Sequence, residues 1–236
     1  LPKYLTGKES ERNARDLFII TNFNKTHIAF RVHSVVGISR ISWEHIQKPD
    51  KTITYGEEGV ATGIAQCDNQ LVTILDFEKI VADIAPETGI QLEEIEKLGK
   101  RNRKESRIIL AEDSILLSRM IKEALAKAGY DNILAFNNGK EAWDYLQSVR
   151  EDQDFEKKVS LIITDIEMPE MDGHRLTKLV KEDQIMKDTP LIIFSSLINS
   201  EMRIKGKSLG ADEQLSKPEI GHLVEVMDTL LERRGQ

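Results

Sequence analysis

The sequence predicts an α/β protein whose second half is a doubly wound, five-stranded parallel sheet, preceded by a small, mainly-β region. Two observations support this prediction. From residue 107 onward, short apolar runs alternate with segments of helical periodicity, which is the pattern of consecutive βα units. Before residue 86, short strand-like runs follow one another through tight connections, as in small antiparallel β domains.

The composition is that of a folded, soluble protein. Of the 236 residues, 31% are charged and 40% hydrophobic, and the chain is long enough for two cores. A net charge of −7 argues against a nucleic-acid partner. The only cysteine is Cys67, which excludes an intrachain disulfide, and no apolar run is long enough to span a bilayer. We therefore expect a cytoplasmic protein without direct membrane insertion.

Residues 1–85 are predicted to form the β region. After a polar lead-in come the strand-like runs LFIITNF, THIAFRV and VVGISRISW, and later GVATGIAQC and QLVTILDF. The pairs Asn24-Lys25 and Asp68-Asn69 indicate hairpin turns. The segment LDFEKIVADIA predicts a short helix. Residues 86–106 include the charged run LEEIEKLGKRNRKES. This composition predicts a partly helical, solvated linker.

Residues 107–236 are predicted to form five βα units. The strands are RIILA, ILAF, LIIT, LIIF and a weak fifth run, EQLS. After the first strand, apolar residues recur at helical spacing and stop at Gly129. Asn138 and Glu141 resemble a capping box at the start of the next helix. The last helix is expected from about residue 220 to residue 233.

Polar side chains stand at the ends of four of these strands. They are Glu112-Asp113, Asp165, Ser195 and Lys217. Because the carboxyl ends of parallel strands meet at one rim of the sheet, we expect these groups to converge and Asp165 to be exposed there. Neighbouring carboxylates repel unless a hard cation is present, which predicts Mg²⁺. With a lysine and a hydroxyl nearby, Asp165 is a candidate nucleophile for a phosphoryl group.

These residues, with the segment TDIEMPEMDG, the FSS of the fourth strand and the Lys-Pro after the fifth, resemble the receiver domain of two-component response regulators. The resemblance covers residues 107–234 and implies a CheY-like fold. It implies that Asp165 is the phosphoacceptor, that Ser195 is the switch hydroxyl and that Lys217 contacts the phosphoryl group.

The same resemblance implies a Mg²⁺ site. Asp113 and Asp165 would bind the ion directly, Glu112 directly or through water, and the backbone carbonyl of Glu167 would add a ligand. The family often has an aromatic side chain three residues before the lysine, and Gln214 stands there instead. A switch based on an aromatic rotamer therefore lacks its residue here.

The runs IAFRVHSVVGISRISWEHI and GVATGIAQCDNQLVTILDFEKIV resemble the later part of a CheW-like coupling domain. The opening strands of such a domain do not precede Leu1, so an N-terminally truncated domain is expected. An adaptor domain followed by a receiver is similar to the chemotaxis coupling proteins. The resemblance implies binding to a chemoreceptor's cytoplasmic tip and to a chemotaxis histidine kinase, which serves as phosphodonor. It implies self-phosphorylation and slow autodephosphorylation rather than enzymatic turnover.

Two other functions are compatible with an aspartate at a strand end. A haloacid-dehalogenase-type phosphatase or phosphotransferase also passes through an aspartyl phosphate, but it commonly needs a second aspartate where Glu167 stands here. Such enzymes also tend to place the nucleophile on an early strand next to a large cap insertion. A DNA-binding response regulator would need a recognition helix or a basic surface, and the first half of the chain shows neither.

Overall fold

A computed structural model describes residues 17–23, 26–42, 45–47, 60–67, 70–84, 98–103, 105–196 and 198–234, together with residues 1, 3, 5 and 95. The chain separates into two compact units, Leu1–Pro86 and Glu87–Gln236. The separation falls where the sequence changes from β-rich runs to a charged segment.

The first unit contains two antiparallel sheets and a helix among its described residues. The elements are β1 Leu17–Phe23, β2 Thr26–Val32, β3 Ile46–Gln47, β4 Ala61–Cys67, β5 Gln70–Leu75 and α1 Phe77–Ile84. In the hairpin of β1 and β2, Leu17 lies opposite Val32 and Phe23 lies opposite Thr26. The second sheet has the order β3-β4-β5.

Most strands predicted for the first unit are present, but the described residues 35–42 of the run VVGISRISW do not form a strand. Residues 34–42 are irregular, and the side chains of Val36 and Ile38 are fully exposed. A β-branched composition favours a strand only where neighbouring strands and a core are available for packing. The predicted turn residues Asn24-Lys25 and Asp68-Asn69 lie outside the described residues.

The helix α1 contributes to a small core of the first unit. Ile80 and Val81 are buried together with Phe30 of β2. The rings of Phe30 and Phe77 meet edge to face, with their centroids 4.9 Å apart. This is a favoured aromatic geometry, so the first turn of α1 is held against β2.

The second unit is built from strands and helices that alternate along the chain. Its described strands are β6 Ile108–Ala111, β7 Ile133–Phe136, β8 Leu161–Thr164, β9 Leu191–Ser195 and β10 Glu213–Ser216. Its described helices are α2 Ile115–Ala128, α3 Gly139–Val149, α4 Phe155–Lys158, α5 Gly173–Glu182, α6 Ser200–Ser208 and α7 Ile220–Arg234. The strands form a parallel sheet with the order β10-β9-β8-β6-β7. The predicted doubly wound, five-stranded sheet is confirmed, and the short helix α4 was not predicted.

Helices cover both faces of this sheet, and each face has its own core. In β6, Ile108 and Leu110 belong to one core cluster, while Ile109 and Ala111 belong to the other. This alternation follows from the period of two along a strand. The central strands β6 and β8 are buried on both faces, which explains their continuous apolar runs.

The end of the predicted linker packs on the second unit. Ile95 is buried in the core cluster that includes α2 and α7. The backbone N–H of Arg101 donates to the carbonyl of Ala128, and its Nε lies 2.8 Å from Oδ2 of Asp228. The expectation of a solvated connector is therefore wrong for these residues. No helix in the described part of the chain has both the length and the hydropathy needed to cross a bilayer.

Candidate functional site

The register of the parallel sheet brings the predicted site residues to one rim. Ala111 lies opposite Thr164, so Glu112 and Asp165 follow as neighbours beyond the ends of β6 and β8. The backbone N–H of Asp165 donates to the carbonyl of Ala111 at 2.9 Å. The last residues of two adjacent strands therefore determine where the candidate nucleophile sits.

Local hydrogen bonds fix the Asp165 side chain and backbone. Its Oδ1 accepts from the N–H of Ile166 at 2.6 Å, and the hydroxyl of Thr164 donates to its carbonyl at 2.9 Å. Asp165 is only 4% exposed, so the expectation that it would be exposed at the rim is wrong.

Lys217 is the buried cation of this pocket. Its Nζ lies 2.9 Å from Oδ2 of Asp165 and 3.1 Å from Oε2 of Glu112. All three side chains are at most 5% exposed. A buried charge is tolerated when it is paired, so one ammonium group holds two carboxylates in place. The sequence predicted a phosphate contact for this lysine but not its pairing with Glu112.

The acidic residues fit a divalent cation. Carboxylate oxygens of Glu112, Asp113 and Asp165 lie within 4.8 Å of one another. An octahedral Mg²⁺ places its oxygen ligands about 3–4 Å apart, so small side-chain movements would complete this part of a coordination shell. Oxygen donors with net negative charge are the set that Mg²⁺ prefers. The three predicted acidic ligands are therefore together.

Glu167 is close to Asp165 in sequence, and Ser195 is brought near Lys217 by the register of the sheet. Glu167 stands two residues after Asp165, and its side chain is exposed. Ser195 is the last residue of β9, is buried and lies opposite Ser216, the residue before Lys217. Their roles as metal ligand and switch hydroxyl remain predictions.

Gly173 supports the loop that begins at Asp165, a role that was not predicted from the sequence. A Cβ on Gly173 would lie 1.8 Å from the carbonyl oxygen of Asp165. The residue before it, Asp172, caps α5 by accepting from the N–H of Arg175 at 2.8 Å. The helix can therefore start directly against the backbone of Asp165. The glycine in the segment PEMDG is the feature of the sequence that could have indicated this role.

Comparison with known proteins agrees with both halves of the chain. A model described as a response regulator receiver domain matches residues 108–228, and a CheW-like domain model matches residues 1–85. The chemotaxis protein CheV2 of Helicobacter pylori is 30% identical over 227 residues, which cover 94% of this chain and 69% of that protein. This chain belongs to the CheV family of chemotaxis proteins. CheV3 of the same organism is 28% identical, with 97% and 72% of the two chains covered.

Membership of the CheV family defines the class of protein. Like these relatives, the chain combines a CheW-like domain with a receiver and is a chemotaxis coupling adaptor under receiver control, not an enzyme in the usual sense. The haloacid-dehalogenase alternative receives no support. In agreement, Asp165 follows the third strand of its sheet in chain order, not an early one.

Proposed function

We propose that this CheV protein couples the cytoplasmic tip of a chemoreceptor to a chemotaxis histidine kinase, and that phosphorylation of Asp165 regulates the coupling. Residues 1–85 form the coupling domain, residues 86–106 connect it and residues 107–236 form the receiver. The observation that carries the proposal is the buried cluster in which Lys217 contacts Asp165 beside further carboxylates.

In this proposal Asp165 is the nucleophile. One of its carboxylate oxygens forms a bond to phosphorus, while the bond between phosphorus and the imidazole nitrogen of the kinase's phosphohistidine breaks. The electron pair of that bond remains on the nitrogen, which takes up a proton. The product is an acyl phosphate. In a second step, water attacks the phosphorus of this acyl phosphate, which releases inorganic phosphate and restores the carboxylate. This second step is the slow autodephosphorylation, and the sum of the two steps is hydrolysis of the kinase's phosphohistidine.

The remaining residues of the rim would hold a metal ion that balances the charge of the site. Asp113, Asp165 and Glu112 would hold Mg²⁺, together with the backbone carbonyl of Glu167. When bound, Mg²⁺ supplies charge neutralisation for the phosphoryl oxygens.

Both oxygens of Asp165 already have partners, Ile166 N–H and Lys217 Nζ. The oxygen that bonds to phosphorus loses its negative charge and becomes a weaker acceptor for its partner. If it is the oxygen now paired with Lys217, the ammonium group becomes available to a phosphoryl oxygen. Ser195 lies at the end of the neighbouring strand, and its hydroxyl moves toward the phosphoryl group once Asp165 carries it.

The receiver chemistry is tested by intact-mass spectrometry after incubation with acetyl phosphate, with and without Mg²⁺. The wild-type protein should gain the mass of one phosphoryl group only when Mg²⁺ is present. Asp165→Asn should gain none. Asp144→Asn is the matched control, because Asp144 is an exposed aspartate paired with Lys140 on α3. A wild-type protein that forms no adduct would contradict the proposal.

The coupling role is tested separately with exposed apolar residues of the first unit. Ile38 is 99% exposed, so Ile38→Asp removes apolar surface without disturbing a core. We expect weaker capture of purified histidine kinase or receptor tip. Ile204→Asp is the control, since Ile204 is an exposed isoleucine of α6 in the second unit. Equal capture by both variants would exclude this surface as the contact.

A further inference from the structure

The start of α3 is held rigidly although it carries none of the predicted site residues. Asn138 is fully buried and caps the helix, since its Oδ1 accepts from the N–H of Glu141 at 2.7 Å. The carboxylate of Glu141 in turn accepts from the N–H of Asn137 at 3.2 Å. Two N-terminal donors of this region are thereby satisfied, which fixes the first turn of the helix.

The next residue, Gly139, touches the phosphoacceptor loop. Its backbone N–H, a donor without a partner inside the helix, donates to the carbonyl of Met171 at 3.1 Å. A Cβ on Gly139 would lie 2.5 Å from that carbonyl oxygen and 3.1 Å from Cγ of Met171. Because the closest atom belongs to the backbone, no side-chain movement can make room. Any other residue would displace either α3 or the loop.

Met171 belongs to the loop of residues 165–172, whose shape includes two backbone hydrogen bonds and one left-handed residue. The N–H of Met171 donates to the carbonyl of Pro169 at 2.7 Å, and Glu170 between them has a left-handed φ of 64°. At the end of the loop, the N–H of Gly173 donates to the carbonyl of Ile166 at 2.9 Å. The Gly139–Met171 hydrogen bond ties this strained segment to a neighbouring helix.

We propose that Gly139 is a positioning residue of the phosphoacceptor site: its hydrogen bond and its missing side chain determine how far the loop of residues 165–172 lies from α3, and thereby the affinity of the site for Mg²⁺. This inference rests on the proposed function, because it takes Asp165 and the carbonyl of Glu167 as Mg²⁺ ligands. The loop carries both groups, so a displacement at Met171 moves them relative to Glu112 and Asp113.

A merely structural role for Gly139 predicts a different result. Alanine is the better helix former by up to about 1 kcal/mol, so Gly139→Ala gains helix propensity while it pushes against Met171. Folding stability and site geometry should therefore respond differently to this substitution. Gly206→Ala is the matched control: it places a methyl group in α6 against the side chain of Gln214 and not against the loop.

Isothermal titration of the full chain with MgCl₂ tests the proposal, with unfolding curves in the absence of Mg²⁺ measured in parallel. We expect Gly139→Ala to bind Mg²⁺ about tenfold or more weakly. Gly206→Ala should bind as the wild type does. If the folded Gly139→Ala variant binds Mg²⁺ with the wild-type affinity, the proposal is overturned. This holds even when the wild-type protein forms the phosphoryl adduct. If the wild-type protein formed no phosphoryl adduct, the proposed function itself would be contradicted.

Hydrogen exchange of the wild-type protein provides a readout that does not depend on the folding of a variant. The amide of Gly139 reports the hydrogen bond to Met171 directly. We expect its exchange to slow when MgCl₂ is added, because the loop becomes more ordered. The amide of Gly129, which bonds within its own chain segment to Ala126, should not respond. Exchange of the Gly139 amide that is insensitive to Mg²⁺ would overturn the proposal.

Discussion

Lys217 and Asp165 form a buried ion pair, with Nζ 2.9 Å from Oδ2, although 52 residues separate them in sequence. The same ammonium group contacts Glu112 at 3.1 Å. One cation thus compensates two carboxylates in a site that water barely reaches. This arrangement makes the lysine a structural element of the pocket as well as a candidate phosphate contact.

Removing the ammonium group should destabilise the protein strongly. Lys217→Met keeps the length of the side chain but leaves Glu112 and Asp165 without their shared cation. Breaking a buried pair in this way costs about 3–5 kcal/mol of unfolding free energy. Urea unfolding at neutral pH measures it, and saturating MgCl₂ should restore part of the loss because Mg²⁺ neutralises the same carboxylates.

Lys140→Met is the control for this measurement. Lys140 pairs with Asp144 on the exposed surface of α3, where an ion pair contributes at most about 0.5 kcal/mol. A loss below about 1 kcal/mol in Lys217→Met, similar to that of the control, would show that the buried pair is not needed for stability.

Replacing Asp228 should detach the end of the connecting segment, around Arg101, from the rest of the second unit. Asp228 accepts from the hydroxyl of the buried Tyr130 at 2.5 Å and from Nε of Arg101 at 2.8 Å. Asp228→Ala leaves that hydroxyl without its partner, which costs about 1.5–3 kcal/mol. Limited trypsin digestion should then cleave after Arg101 faster than in the wild type. Glu232→Ala, which removes the exposed partner of Arg103, should change the cleavage rate little.

The sequence predicted the second unit well because its signals are local. Each of the strands β6, β8 and β9 is an apolar run that ends at a polar residue, so the positions of Glu112, Asp165 and Ser195 followed from strand ends alone. The burial of Asp165 could not follow in this way, because it depends on Lys217, which reaches the pocket from another strand.

Two further features depended on contacts that no local pattern contains. The charged run before residue 107 indicated a solvated connector, yet Arg101 finds its partner Asp228 at a separation of 127 residues. The segment around Val36 and Ile38 has the composition of a strand but no burial. Composition describes what a segment favours, and tertiary contacts decide whether it is realised.

His174 should make the stability of the receiver depend on pH. It is 4% exposed, and its Nε2 has no hydrogen-bond partner among the described residues. Burial, followed by the charge of Lys205 on α6, lowers the pKa of His174 below its ordinary value, and Asp172 opposes this shift. The unfolded chain therefore binds a proton at a higher pH than the folded one, so stability falls as the pH drops below about 6.5.

Urea unfolding between pH 7.5 and pH 5 tests this dependence. His174→Gln removes the titrating group, so the slope of unfolding free energy against pH should decrease by up to about 1.4 kcal/mol per pH unit. His222→Gln is the control, because His222 is exposed on α7. Identical slopes in the wild type and both variants would exclude His174 as the source of the pH dependence.

Gln214 should not be replaceable by the aromatic residue that is common at its position in receivers. Its Nε2 donates to the carbonyl of Arg203 at 2.8 Å, and the guanidinium of Arg203 donates back to the carbonyl of Gln214 at 3.1 Å. Gly206 leaves the space for this amide, since a Cβ there would lie 2.3 Å from Oε1 of Gln214. The contact joins β10 to α6 and excludes a larger side chain.

Gln214→Tyr should therefore lower the unfolding free energy by about 1–3 kcal/mol, the cost of overfilling a packed site, and it also removes the hydrogen bond to Arg203. Gln214→Met retains the length and flexibility of the side chain but not the amide, and should lose only about 1 kcal/mol. Urea unfolding of both variants separates the two effects. A tyrosine variant as stable as the wild type would mean that α6 moves aside readily, and that the amide does not hold the helix against β10.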